Sequence, residues 1–247
     1  MMNRWTTRTG ISIIQLLNGR CNVFLLTYQS VTILIDTGTR LQWKKLNRRL
    51  QALNIQQIDY LILTHAHYDH CENASAVKQS YHPTIIAHRD EAAILSSGRG
   101  AIPRGTNGLT RLITDWFGDW YGALKAVRLE CDIQIDAEYA LQSKGLNVTI
   151  IPTPGHSPGS ISLIVDNEIA IVGDAVFGVF RRSVYPPFAM EPKQLVDSWT
   201  RLLKTGCQLF LPGHGRAVSR EKLERNYNQK HSKPIDTIIQ LKSMPSV

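Results

Sequence analysis

Cysteine is scarce in this 247-residue chain. Cys21, Cys71, Cys131 and Cys207 are widely spaced and form no Cys-x-x-Cys pair, which excludes a disulfide scaffold and cysteine-based zinc fingers. Free thiols in a reducing compartment are expected. Long apolar runs are also missing: none approaches the ~20 residues of a membrane span. Ile11 to Leu17 is too short and interrupted for a signal-peptide core, and no small-residue cleavage site follows it. A soluble, cytoplasmic protein with no membrane partner is the expectation. No segment is rich enough in Pro, Gly or Ser to act as a linker, so one domain over residues 1–247 is expected. Charge of one sign is not concentrated either. The 28 Lys and Arg outnumber 20 Asp and Glu, a net charge of +8. They are dispersed among Lys44-Lys45 with Arg48-Arg49, Arg181-Arg182, and residues from Arg216 to Lys233. No nucleic-acid module and no basic face interleaved with aromatics is visible. Nucleic acid is therefore not expected as a partner, whereas a small, anionic substrate suits the charge. The oligomeric state is not legible.

Short β-branched runs fill the first third: Ile11 to Leu17, Asn22 to Tyr28 and Val31 to Asp36 read as strands. Arg40 to Leu53 has helical apolar spacing, Tyr60 to Leu63 reads as a buried strand, and Cys71 to Ser80 as a helix. A strand over Thr84 to Ala87 and a helix over Asp90 to Ser96 continue the alternation, which indicates layered α/β structure. A Gly-rich stretch and the aromatic group Trp116, Phe117, Trp120 and Tyr121 follow. The group is either core packing or a helical lid inserted at about 97–125. Strands are then expected over Cys131 to Ile135, Leu146 to Ile151, Ser160 to Val165, Ile169 to Val172 and Gln208 to Leu211. Helices are expected over Pro192 to Thr205 and Glu221 to Lys230.

Against this background one segment stands out: Thr64-His65-Ala66-His67-Tyr68-Asp69-His70. Three imidazoles and a carboxylate in one turn answer no ordinary packing need. Residues i and i+2 of an extended segment point the same way, so His65 and His67 can reach one metal ion. Asp69 and His70, as the chain turns into a helix, can reach a second. Further on, His156 in Thr-Pro-Gly-His-Ser-Pro-Gly, Asp174 in Val-Gly-Asp-Ala and His214 in Leu-Pro-Gly-His-Gly each follow an apolar strand beside a glycine. His156 would complete a three-histidine set with a coordination position left for water. His214 would join Asp69 and His70, and Asp174, with two oxygens, is the natural bridge. His82, His88 and His231 lack such surroundings and read as non-ligands.

This ordered set, His65, His67, Asp69, His70, His156, Asp174 and His214, resembles the metallo-β-lactamase superfamily over most of the chain. The resemblance implies a four-layer αβ/βα sandwich of two mixed sheets flanked by helices, with the metals at one edge. It also implies that Asp36 in Ile-Asp-Thr-Gly orients a ligand from behind, and that Thr64 plays a similar part. The implied chemistry is hydrolysis by a hydroxide bridging two divalent ions, with zinc expected and iron or manganese also suited. Asp69 would double as ligand and proton shuttle.

Within that family, Asp174 argues against true β-lactamases, and His67 against diiron flavoproteins. The 33 residues after His214 are short for the helical domain with which hydroxyacylglutathione hydrolases grip glutathione. Phe177 stands where acyl-homoserine lactonases commonly carry tyrosine. The arm of the transfer-RNA-processing nucleases is not found. A small ester, thioester, lactone or phosphoester remains as the substrate class. Trp116, Phe117, Trp120, Phe177, Arg181, Arg182 and Tyr185 are the candidate pocket residues. The two arginines either pair with an anionic substrate group or are simply exposed charge. Two other readings of the ligand set are a mononuclear-iron redox enzyme of the persulfide dioxygenase type and a non-catalytic metal-binding scaffold.

Overall fold

The longer strands of this chain carry consecutive apolar residues, which marks sheets covered on both faces. The computed structural model describes residues 2–98, 105–106, 127–141 and 145–231. Seven strands form the first sheet in chain order: β1 (Arg4–Thr6), β2 (Ser12–Leu17), β3 (Val23–Tyr28), β4 (Val31–Ile35), β5 (Tyr60–Ile62), β6 (Thr84–His88) and β7 (Ile133–Ile135). It is antiparallel from β1 to β4 and parallel from β4 to β7. The second sheet holds β8 (Tyr139–Ala140), β9 (Val148–Pro152), β10 (Ile161–Val165), β11 (Ile169–Gly173), β12 (Leu209–Pro212) and β13 (Val218–Ser219), also neighbours in chain order. There only β11 and β12 pair in parallel.

The two-residue period of a strand sorts these apolar runs into separate cores. Ile13, Phe24, Leu26, Ile33, Ile35, Ile62 and Ile86 face Ile150, Ile161, Leu163, Val165, Ile171 and Leu211 between the sheets. Their alternates Ile14, Leu16, Leu25, Leu34, Leu61 and Ile85 point outward to α1 (Trp43–Ala52), α3 (Ala74–Tyr81) and α4 (Arg89–Ser97). On the far side, Ile164, Ala170, Val172 and Phe210 pack with α5 (Pro192–Lys204) and α6 (Arg220–His231). In α5, Leu195, Trp199 and Leu202 recur at helical spacing and are fully buried. Helices, sheet, sheet, helices is the layer order that the resemblance implies.

Two differences from the sequence reading have local causes. The helix expected over Cys71 to Ser80 is two helices, α2 (Tyr68–Cys71) and α3. Asn73 interrupts it, because its side-chain amide donates to the carbonyls of Thr37 and Thr39 at 2.8 Å each and is drawn into the loop after β4. Strands β1, β8 and β13 carry no readable apolar pattern; all lie at sheet edges, where short and polar strands are the rule. The segment 97–125 lies mostly outside the described residues, as do Trp116, Phe117, Trp120 and Tyr121.

The carboxyl ends of β4, β5, β9, β11 and β12 lie along one edge, where the loops of the two sheets are tied together. The Ile161 amide donates to the Thr64 carbonyl at 3.0 Å. Buried Asn22 gives its backbone amide to Gly213 O and its side-chain amide to Pro212 O and Gly215 O.

Candidate metal centre

At the end of β5 the backbone stays extended through His67, which precedes the single turn of α2. His65 and His67 thus project to the same side, with their ring centroids 4.4 Å apart. The turn of α2 then presents Asp69 and His70. His156, Asp174 and His214 arrive from the loops after β9, β11 and β12.

The donor atoms of these residues converge. His67 Nδ1 lies 2.9 Å from His156 Nε2, and His65 joins these two in a group of donors within 4.8 Å of one another. His70 Nε2 lies 3.3 Å from His214 Nε2, which is 3.4 Å from Asp69 Oδ2. Asp174 stands between the two sets: Oδ2 is 3.4 Å from His156 Nε2 and 3.3 Å from His214 Nε2, and Oδ1 is 3.5 Å from His70 Nε2. Two atoms bound at about 2.0–2.1 Å to a shared ion, at octahedral to tetrahedral angles, lie roughly 2.9–3.4 Å apart. The separations here, 2.9–3.5 Å, are close to that spacing.

Hydrogen bonds behind the rings set their tautomers. Asp36, turned into the left-handed region at φ 59°, accepts from His70 Nδ1 at 2.8 Å, from the Thr64 amide at 2.8 Å and from the Thr64 hydroxyl at 2.9 Å. With its proton given to Asp36, the Thr64 oxygen is free to accept from His65 Nδ1 at 3.0 Å. His156 Nδ1 donates to the Phe188 carbonyl at 2.9 Å. Each bond leaves an Nε2 lone pair aimed at the centre. His65 Nε2 and Asp174 Oδ1 are buried and have no hydrogen-bond partner. Leaving such atoms unpaired costs about 1–3 kcal/mol each, and a cation between them removes that cost.

The titration tendencies of the three-histidine set agree with metal binding, whereas at His70 burial is outweighed by Cys21, Asp36, Asp174 and Asp69, which hold it well above the histidine range. Burial holds His65 and His67 well below the ordinary histidine range and lowers His156, so all three favour the neutral, ligating form. Burial opposes ionisation of Asp174, but the facing His214, His70 and His156 keep it well below the carboxylate range. His214 is raised, because Asp174 outweighs burial. Burial pushes the Cys21 thiol up to about 12. Cys21 lies beside the centre, with Sγ 3.5 Å from His70 Nδ1; Cys71 packs in the core of the first sheet.

The other candidate residues divide. The Phe177 ring packs against the His214 ring, centroids 4.9 Å apart, and the Gly178 amide donates to His214 O. The Met190 amide donates to His156 O, so the segment 177–190 touches both late histidine loops. Arg181 and Arg182 are exposed. Tyr185 packs edge-on to Trp199 and lines a separate cavity of about 300 Å³ with Thr106, Phe180 and Lys230; none of the donor residues lines it. Of the excluded histidines, His82 is exposed at the end of α3, and His88 caps α4 by accepting the Asp90 amide. Sequence reading missed Asn22 and Glu91, whereas Gly213 is the glycine it noted before His214. A Cβ on Gly213 would lie 2.3 Å from Asp174 Oδ1 and 2.6 Å from His70 Cε1, so only glycine lets the strand end pass the centre.

Comparison with known proteins decides the family. A family model described as the metallo-beta-lactamase superfamily matches residues 17–214. The chain belongs to this superfamily. Among curated superfamily relatives, a probable metallo-hydrolase of Methanocaldococcus jannaschii is 30% identical over 76% of this chain and 84% of its own length. The hydroxyacylglutathione hydrolase GloC of Haemophilus influenzae is 28% identical over 74% of this chain and 79% of its own. In structure, the superfamily fold is shared with an archaeal member from Sulfolobus tokodaii at a TM-score of 0.66 and 20% identity, covering 95% of this chain and 89% of that one. A metallo-beta-lactamase of Cronobacter sakazakii matches at a TM-score of 0.70 and 18% identity, covering 98% and 96%.

Proposed function

We propose that this superfamily member is a metal-dependent hydrolase acting on a small ester, thioester, lactone or phosphoester. On this reading His65, His67 and His156 hold one divalent ion, Asp69, His70 and His214 hold the other, and Asp174 serves both. Zinc is the expected metal. One observation carries the reading: facing donor atoms are 2.9–3.5 Å apart around two adjacent points, with His65 Nε2 and Asp174 Oδ1 otherwise unpartnered.

When bound, the ions acidify coordinated water to a pKa of about 7 and offset negative charge that develops on the reacting oxygen. The protein's share is orientation and proton transfer. Asp36 and Thr64 fix the rings of His70 and His65. The side chain of Asp69 is 18% exposed and that of Asp174 is 6%, so Asp69 is the carboxylate that can exchange a proton with solvent at its free oxygen. Phe177 covers one side of His214 and takes the place of a hydroxyl donor, and the segment to Met190 forms a wall of the pocket.

The test is elemental analysis of protein purified without added metal, paired with turnover of an ester, a thioester, a lactone and a phosphodiester. About two zinc per chain is expected, with turnover of at least one substrate. His65→Ala and Asp174→Ala should lose activity and metal together. One iron per chain with oxygen consumption, or full activity after metal is stripped, would overturn the reading.

A further inference from the structure

A buried acid without a metal-facing role lies directly behind one half of the centre. Glu91, at the third position of α4, is 1% exposed. Its two carboxylate oxygens accept from two different loops. Oε2 takes the amide of Ala66, between His65 and His67, at 2.7 Å. Oε1 takes the hydroxyl of Ser157, next to His156, at 2.7 Å and the Gly159 amide at 2.9 Å. The approach is close: a Cβ on Gly159 would lie 2.8 Å from Glu91 Cγ and 2.7 Å from His88 Nδ1.

We propose that Glu91 is the positioning residue for the three-histidine half of the centre, bridging the loop that carries His65 and His67 to the loop that carries His156. Its three hydrogen bonds all reach residues within three positions of those histidines, and none reaches Asp69, His70 or His214. The geometry explains why a carboxylate is needed. A glutamine in its place has one acceptor oxygen, so either the Ala66 amide or the Gly159 amide must face an N–H group and lose its bond. The inference rests on the metal reading above.

The test measures zinc affinity by chelator competition in two single-site backgrounds, His214→Ala and His156→Ala. Glu91→Gln should weaken binding about 10–100-fold in the His214→Ala protein, the usual loss when an outer hydrogen-bond partner of a ligand is removed. In the His156→Ala protein it should leave affinity nearly unchanged. Equal weakening in both backgrounds, or no change in either, overturns the proposal, since general loosening of the fold would not select one half. If Glu91→Gln does not fold, Ser157→Ala removes one of the same bonds and is read by the same split. Wild-type protein that binds no zinc would refute the metal reading itself, a result distinguishable from wild-type binding with no effect of Glu91→Gln.

Discussion

Replacing Asp36 by asparagine changes one oxygen to nitrogen and tests how the centre is oriented. Asp36 accepts three donors, the Thr64 amide, the Thr64 hydroxyl and His70 Nδ1. Asparagine offers one acceptor oxygen and a pair of donors. If its oxygen stays on the Thr64 amide, its NH₂ faces His70 Nδ1, which must then become an acceptor. His70 Nε2 consequently carries the proton and has no lone pair for a metal. If the amide flips, two N–H groups oppose one another at Thr64. Either way about one charge-assisted hydrogen bond is lost, worth about 1.5–3 kcal/mol. At about 1.4 kcal/mol per decade that is a loss of roughly 10–150-fold, matching the 10–100-fold typical of an outer-shell change at a metal site. Zinc competition titration should show this loss mainly at the half holding His70. The three-histidine half should lose less, since His65 feels Asp36 only through the Thr64 hydroxyl. An Asp36→Asn protein with a wild-type circular-dichroism spectrum and unchanged affinity at both halves would refute the reasoning. The pattern is the mirror of that expected for Glu91→Gln, so the two variants check each other.

Two further substitutions probe packing. Gly213→Ala should cost metal binding and activity together, because its methyl group would occupy space 2.3 Å from Asp174 Oδ1; zinc content equal to wild type would contradict the close approach. Trp199→Ala should lower stability by about 3–5 kcal/mol in denaturant unfolding, since the indole is fully buried and its N–H donates to Ala175 O at 2.6 Å. A loss under about 1 kcal/mol would mean that the space collapses freely.

Much of this protein is legible in the sequence because the informative features are local. Short apolar and β-branched runs mark strand positions whatever the strand pairs with, and they yielded β2, β3, β10 and β11 within a residue or so. The donors are equally local: imidazole and carboxylate chemistry belongs to the residue type, and the spacing of His65, His67, Asp69 and His70 lies within a single turn. The order of His156, Asp174 and His214 after three strands was readable for the same reason.

Tertiary structure alone decided the rest, because the deciding contacts join residues far apart in the chain. Asn22 holds the loop of His214 from 190 residues away, and Glu91 spans 66 positions to Ser157. Neither residue type announces such a role, since most Asn and Glu are exposed. Which nitrogen of each histidine faces the centre was likewise set by distant acceptors, Asp36 for His70 and Phe188 O for His156. The division of a candidate pocket into Phe177 beside the donors and Tyr185 in another cavity came only from the path of the chain after Asp174. Residue identity determines which chemistry is available; burial and long-range hydrogen bonds determine which atoms are pointed at it.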